Sequence, residues 1–221
     1  MLIYSIVISL LLSGQQAYAA EAYDLQGELF NAVVSRDEAA LRAALAAGAQ
    51  PLLYDQSRGE APLHALLKQR GDEQQLYPLL AIMVENAQKP VARSSVENRI
   101  RGFLGMPAKT SVPQVNFDVV DAQGETPFAH AIKNGHVNSA DLLKKRGANP
   151  NHAHEGGHTI LHRLVKNPSP LGHREHLDRA LSLGVDINAS NADGRTALIE
   201  AVLAGNNEAV DYGEGFISWD Q

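Results

Sequence analysis

The sequence predicts an all-α solenoid of about five stacked helix–turn–helix repeats, with β-turn fingers between them and one irregular insertion. Three observations carry this expectation. A short motif recurs at Gly59-Glu-Ala-Pro-Leu-His64, Gly124-Glu-Thr-Pro-Phe-Ala129, Gly157-His-Thr-Ile-Leu-His162 and Gly194-Arg-Thr-Ala-Leu-Ile199, its glycines 65, 33 and 37 residues apart. Each copy leads into an Ala/Leu/Val-rich run, then a break, then a second helical run. The second runs end in Gly48-Ala-Gln-Pro51, Gly147-Ala-Asn-Pro-Asn151 and Gly184-Val-Asp-Ile-Asn188. Self-similarity at a fixed period marks an array in which one helix pair buries too little to stand alone and its neighbours complete a continuous core.

Each element has its own local reason. Gly27-Glu-Leu-Phe-Asn-Ala32 is a weaker first copy, 32 residues before Gly59. Pro62 and Pro127 suit a first helical turn, where the missing N–H has no intrahelical partner to lose. Thr126, Thr159 and Thr196 stand where a hydroxyl caps the helix that follows. Gly147 and Gly184 close helices where a left-handed residue is wanted. Ala140, Leu142 and Leu143, and again Leu177, Ala180, Leu181 and Leu183, place apolar groups on one stripe of a short helix.

Three departures from the period stand out. The second repeat's outer helix, about 74–85, ends at Asn86-Ala87, and the next finger resumes at Val115-Asn116. Between them, 88–114 carries Lys89, Arg93, Arg99, Arg101 and Lys109 against Glu97 alone. Ser94-Ser95-Val96-Glu97 has the form of a capping box, and Val96, Ile100, Phe103 and Leu104 follow at helical spacing. An insertion with one short amphipathic helix is favoured over a decayed extra repeat, because no Thr-Pro-Leu-His-like element stands near residue 92. The fourth repeat is lengthened at Asn167-Pro-Ser-Pro-Leu171. The last repeat begins with Gly205-Asn-Asn-Glu-Ala-Val210, and then Asp211-Tyr-Gly-Glu-Gly-Phe-Ile-Ser-Trp-Asp-Gln221 replaces the usual Leu-Leu continuation, which suits a water-facing terminal repeat or a truncated one.

Motif, period and order together resemble the ankyrin repeat over roughly residues 25–212. The resemblance implies helix pairs joined by β-turn fingers, with no catalytic centre. It implies that His64 and His162, in the Thr-Pro-Leu-His position, bond backbone groups of the neighbouring finger, and that His136 and His173, at the break between helices, are structural too. His130 is shifted by one from that position, which Ala129 occupies.

The N-terminus supplies an address. Residues 1–12 are nearly all apolar and Ala17-Tyr-Ala19 follows, the form of a secretory signal peptide cleaved after Ala19, although no Lys or Arg precedes the apolar run. A run of about 12 residues is short of the roughly 20 that span a bilayer. The expected organisation is a signal peptide at 1–19, a repeat array at 20–212 with its insertion at 88–114, and a tail at 213–221. The expected location is the bacterial periplasm, with no membrane span after cleavage.

Composition removes several classes of function. The chain has no cysteine, which excludes disulfides, thiolate zinc sites and cysteine nucleophiles. A net charge of −6 argues against a general nucleic-acid binder. Six of nine histidines fall between His152 and His176, and residues 154–158 read His-Glu-Gly-Gly-His. The zinc-protease use of that motif needs both histidines on one helical face, and in the repeat register this stretch is a finger with adjacent glycines. No cofactor, metal site or catalytic residue is therefore assigned. A metal-binding protein using the His152–His176 cluster is kept as an alternative.

The resemblance places the binding surface on the concave face made by finger tips and first helices. Carrying the register over nominates Arg58, Glu60 and Lys68 in the second repeat, and Gln123, Glu125, Lys133 and Asn134 in the third. The fourth contributes Glu155, His158, Lys166 and Asn167, and the fifth Asp193 and Arg195. The basic segment 88–114 is a second candidate surface, suited to an acidic partner. The expected function is a non-enzymatic exported module, a monomer that binds one protein partner. The resemblance implies two such roles in bacterial envelopes, an immunity protein against a secreted antibacterial effector, slightly favoured, and a helper of catalase in peroxide defence.

Overall fold

The structure is a computed structural model that describes residues 25–87, 115–166 and 173–214. The expected signal peptide, the whole insertion at 88–114, Asn167 and the last seven residues lie outside the described residues.

The described chain runs as helix pairs. Residues 25–35 form α1 and Glu38–Ala47 form α2. Pro62–Lys68 is α3 and Glu73–Ala87 is α4. Pro127–Lys133 is α5 and Val137–Lys145 is α6. Ile160–Lys166 is α7 and His173–Ser182 is α8, and Ala197–Ala204 and Asn207–Glu214 are α9 and α10. Among the described residues the only β pairing is two isolated bridges, Asp55 with Glu60 and Ser190 with Thr196, each closing a finger. The all-α solenoid expected from the repeats is what is found.

The helix ends follow from local chemistry. Asp37 accepts from the Ala40 N–H at 3.0 Å, and Thr126 from the Ala129 N–H at 3.2 Å. Thr196 caps α9 in the same way. Thr159 departs from expectation: its hydroxyl lies 2.9 Å from Nδ1 of His162. Gly147 and Gly184 adopt φ of +104° and +83°, the left-handed turn their positions called for. At the break of the first pair that conformation falls on a non-glycine, Arg36, with φ +56°. Its guanidinium holds the next break, donating to Oε1 of Gln69 at 2.8 Å and Oε1 of Gln75 at 3.0 Å.

The pairs stack into one core. α2 packs on α4 and α4 on α6, while α8 packs on α10. On the inner side α3 packs on α5 and α7 on α9, whereas α5 meets the fourth pair chiefly through α8. Leu63, Leu66, Leu67, Phe117, Phe128 and Ile132 are fully buried between layers. A carbonyl near the end of each first helix accepts from a side chain of the next repeat. Gln69 donates to Val33, Asn134 to Leu67, His176 to Ile132 and Asn206 to Val165, at 2.8 to 3.1 Å. These bonds set the repeat spacing and hold the fingers in one row. Among the described residues no helix is long and apolar enough to cross a membrane.

Candidate partner-binding face

Three of the fingers are built on one carboxylate or amide. Oδ1 of Asp55 accepts from the Ser57 N–H, Oδ1 of Asp121 from the Gln123 and Glu125 N–H groups, and Oδ1 of Asn191 from the Asp193 and Arg195 N–H groups, at 2.8 to 3.0 Å. This Asx-type turn presents the residues after it to solvent. The fourth finger has His154 at the equivalent place. Its turn is a single 3-10 stretch, Glu155–Gly157, with φ +75° at Gly156 and +72° at Gly157. The His-Glu-Gly-Gly-His segment is thus a finger and not a helix. The ring of His154 lies over Gly124, where any Cβ would collide with it.

The nominated residues fall into two groups. The first is locked into ion pairs and hydrogen bonds within and between repeats. Nζ of Lys68 donates to Glu60 at 2.7 Å and reaches Asp121 of the next finger at 2.8 Å and Gln123 at 3.3 Å. Lys133 donates to both carboxylate oxygens of Glu125, at 2.7 and 2.9 Å. Arg163 approaches that carboxylate at 3.5 Å and donates to the carbonyls of Gln123 and Gly124, at 2.8 and 3.2 Å. Lys166 pairs with Glu200 at 3.1 Å, and Arg195 with the same carboxylate at 3.7 Å. Asn134 is spent on the Leu67 carbonyl. Glu125, nominated as a displayed side chain, is instead buried, because Lys133 and Arg163 close over it. The second group is displayed: Arg58, Gln123, Glu155 and Asp193 are exposed at finger tips. Arg58 also lies 4.6 Å over the Phe30 ring. His158 is half-buried, with its Nδ1 lacking a hydrogen-bond partner among the described residues.

The register did not single out Asp121, His130, Arg163 or Glu200, yet they hold the network together. Asp121 is buried and bonded by Nε2 of His130 at 2.8 Å. Burial opposes its ionisation, but Lys68, the Glu125 N–H and His130 outweigh that and hold its carboxyl far below the usual range. Burial pushes His130 down, only partly offset by Asp121 and Glu125. Lys68 is raised: burial works against its charge, and Asp121 and Glu60 prevail. Glu200 is lowered by Lys166 first, then by Asn191 and Arg195. The sequence signal for these four lay in the spacing: His130 and Glu200 each stand six residues after a motif glycine, nine after the finger residue they bond.

The histidines of 152–176 take separate jobs. Nδ1 of His162 accepts from the Thr159 N–H at 3.2 Å, so its proton sits on Nε2, which donates to the Arg195 carbonyl at 2.9 Å. His64 does the same between the Ala61 N–H and the Val119 carbonyl, at 3.2 and 3.1 Å. Both are the finger ties that the resemblance implied. His136 bonds the Gln69 carbonyl at 3.0 Å. The side chain of His173 lies outside the described residues. Among the described residues no three His, Asp or Glu side chains converge as metal ligands.

A cleft opens at the third-to-fourth junction, lined by Phe128, Ala129, Ile160, Glu125, Arg163 and the fourth finger's histidines His152, His154 and His158. Ala129 stands here where His64 and His162 tie the second-to-third and fourth-to-fifth junctions.

The family model of ankyrin repeats matches residues 80–191 in three copies. A mouse (Mus musculus) protein, the B-cell lymphoma 3 protein homolog, is 29% identical over 126 residues, covering 57% of this chain and 28% of that protein. The chain therefore spans about a quarter of the length of this curated relative.

Proposed function

We propose that this chain, which belongs to the ankyrin-repeat family and is a protein-interaction module, is exported to the bacterial periplasm and there neutralises one secreted antibacterial effector. The observation that carries the binding mode is the division of the concave face. Ion pairs between repeats rigidify its floor, while Arg58, Gln123, Glu155 and Asp193 stand exposed along the finger tips above it. A rigid floor lowers the entropic cost of association, and mixed charges at the tips favour one register of a partner over others. The lengthened stretch at 167–171 and the basic stretch at 88–114 depart from the repeat period, as suits a module tailored to one partner. The signal-peptide form of residues 1–19 supports export. The second reading, a helper of a periplasmic catalase, rests on the same face and the same address.

The test is affinity capture by the mature chain from envelope and secreted fractions, repeated with Gln123→Lys, Glu155→Lys and Asp193→Lys combined. One dominant protein, lost with the triple variant, supports the face as the working site. A captured hydrolase or nuclease that is toxic only when this chain is deleted supports the immunity role. Peroxide sensitivity on deletion, with catalase captured, replaces it by the second reading. Recovery of the chain from cytoplasm with residues 1–19 intact removes both.

A further inference from the structure

The third-to-fourth junction is built unlike its neighbours. At the second-to-third junction α3 packs on α5 and α4 on α6, and at the fourth-to-fifth α7 packs on α9 and α8 on α10. Adjacent fingers there share a backbone hydrogen bond, from the Ala122 N–H to the Gly59 carbonyl at 2.7 Å and from the Ala192 N–H to the Gly156 carbonyl at 2.8 Å. The imidazoles of His64 and His162 add a third tie. The third-to-fourth junction lacks all three among the described residues. Neither α5 with α7 nor α6 with α8 packs comparably, and the layers meet through the diagonal contact of α5 with α8. No backbone N–H of the fourth finger donates to a carbonyl of the third, and Ala129 stands in place of the imidazole. The hydrogen bonds described across this junction all use a side chain. Asp118 accepts from the Asn149 N–H at 2.8 Å, His176 bonds the Ile132 carbonyl at 3.1 Å, and Arg163 donates to the Gln123 and Gly124 carbonyls beside Glu125.

We propose that this junction is a latched hinge. Repeats one to three form one block, repeats four and five another, and Arg163 is the latch that keeps the floor of the face continuous across them. Released, the blocks rock about the contact of α5 with α8 and open the cleft between Ala129 and Ile160. The motion exchanges side-chain hydrogen bonds for bonds to water and leaves the packed layers inside each block intact, whereas at the other two junctions it would part buried helices. Gln123 lies on the first block, and Glu155 and Asp193 on the second, so the latch sets the spacing of the displayed finger tips. The hinge follows from the junction alone and not from the identity of a partner.

The chain has no cysteine, so pairs of introduced cysteines carry spin labels at chosen sites. Gln56→Cys with Asp193→Cys spans the hinge, Gln56→Cys with Lys144→Cys stays in the first block, and Glu155→Cys with Leu203→Cys stays in the second; all five positions are exposed. Distances are read by double electron–electron resonance on the full chain. Arg163→Ala is expected to widen the spanning distribution about twofold and to leave both in-block distributions and the far-ultraviolet dichroism unchanged. Arg163→Lys keeps a cation beside Glu125 without the fork that holds two carbonyls, and is expected to give an intermediate width. Lys166→Ala removes an ion pair of the fourth-to-fifth junction and is expected to leave the second block's distribution as it was, because packing and His162 still hold that junction. A spanning distribution indifferent to both Arg163 variants overturns the proposal. So does equal widening of the second block by Lys166→Ala, which would make the junctions alike.

Discussion

Two kinds of junction hold this molecule together, and they differ in chemistry. Between the second and third repeats and between the fourth and fifth, a buried imidazole reaches from one first helix to a carbonyl of the next finger: His64 to Val119 and His162 to Arg195. Between the third and fourth, Ala129 has no such reach. Arg163 reaches backward instead, to the Gln123 and Gly124 carbonyls and the Glu125 carboxylate, and His154 covers Gly124. There α5 and α7 stand apart and a cleft opens. At the third-to-fourth junction the ionic and side-chain contacts thus stand without such an imidazole, whereas the other two carry an ion pair beside theirs, Lys68 with Asp121 and Lys166 with Glu200. Neutral ties are indifferent to salt, while ionic ones weaken as screening rises.

The comparison breaks first at the imidazoles. His162→Ala is expected to cost about 3 kcal/mol, from two buried hydrogen bonds and the space left behind, measured by urea or thermal unfolding. A cost under about 1 kcal/mol shows that the tie does not hold the junction. Glu125→Gln is expected to cost about 2 kcal/mol, below the range for fully buried pairs because Lys133 and Arg163 keep contact with water. The sharper reading is salt. The wild-type chain should lose stability between low and high ionic strength, and the Glu125→Gln chain should lose less, the Lys68–Asp121 and Lys166–Glu200 pairs remaining.

Acid acts on the second-to-third junction. His64 is pushed down by burial and then by His130, with Asp121, the Val119 carbonyl and Lys68 also facing it. His130, pushed down by burial, faces Asp121, Glu125 and Lys68. Both native-state values lie below 6.5, so the native state prefers the neutral rings. The stability they confer is present above pH 6.5 and is lost as pH falls below it. The unfolding midpoint should fall from pH 7 to pH 5, and His64→Gln with His130→Gln should flatten that slope. A slope unchanged in the double variant points to carboxylates elsewhere.

Smaller effects probe the substitute contact. Gly124→Ala, at φ +70°, is expected to cost about 1–2 kcal/mol from backbone strain and the displaced His154 ring. Combining it with His154→Ala should recover the steric part and leave the backbone part; strict additivity would mean that the ring makes no difference. Smallest is Arg58→Ala, about 0.5 kcal/mol for an exposed ion pair and a cation resting on Phe30.

The outer helix of the second repeat, read as about 74–85, runs over Glu73–Ala87, and the caps at Thr126 and Thr196 stand where they were expected. Such features are legible because they depend on bonds spanning three or four residues. The repeat register also found the right row of the molecule, since every nominated residue among those described falls on a finger, on a first helix or, for Asn134, at that helix's C-cap. It could not separate the displayed members from the locked ones. Glu155 and Asp193 are exposed, while Glu125, with the same chemistry, is buried.

The sequence by itself determined the repeat period, the helix pairs and the finger turns, because each is written in residue types at fixed local spacing; the imidazole ties came only through the resemblance. Only the tertiary structure decided which charges are spent between repeats, that the fourth finger leans on the third through His154 and Arg163, and that α9 keeps Ile199, Val202 and Leu203 exposed. Those outcomes depend on contacts 30 to 55 residues apart, such as Lys68 with Asp121 and Arg163 with Gln123. Whether a carboxylate meets a cation or water there is set by how closely one layer stacks on the next, a distance that no local spacing records.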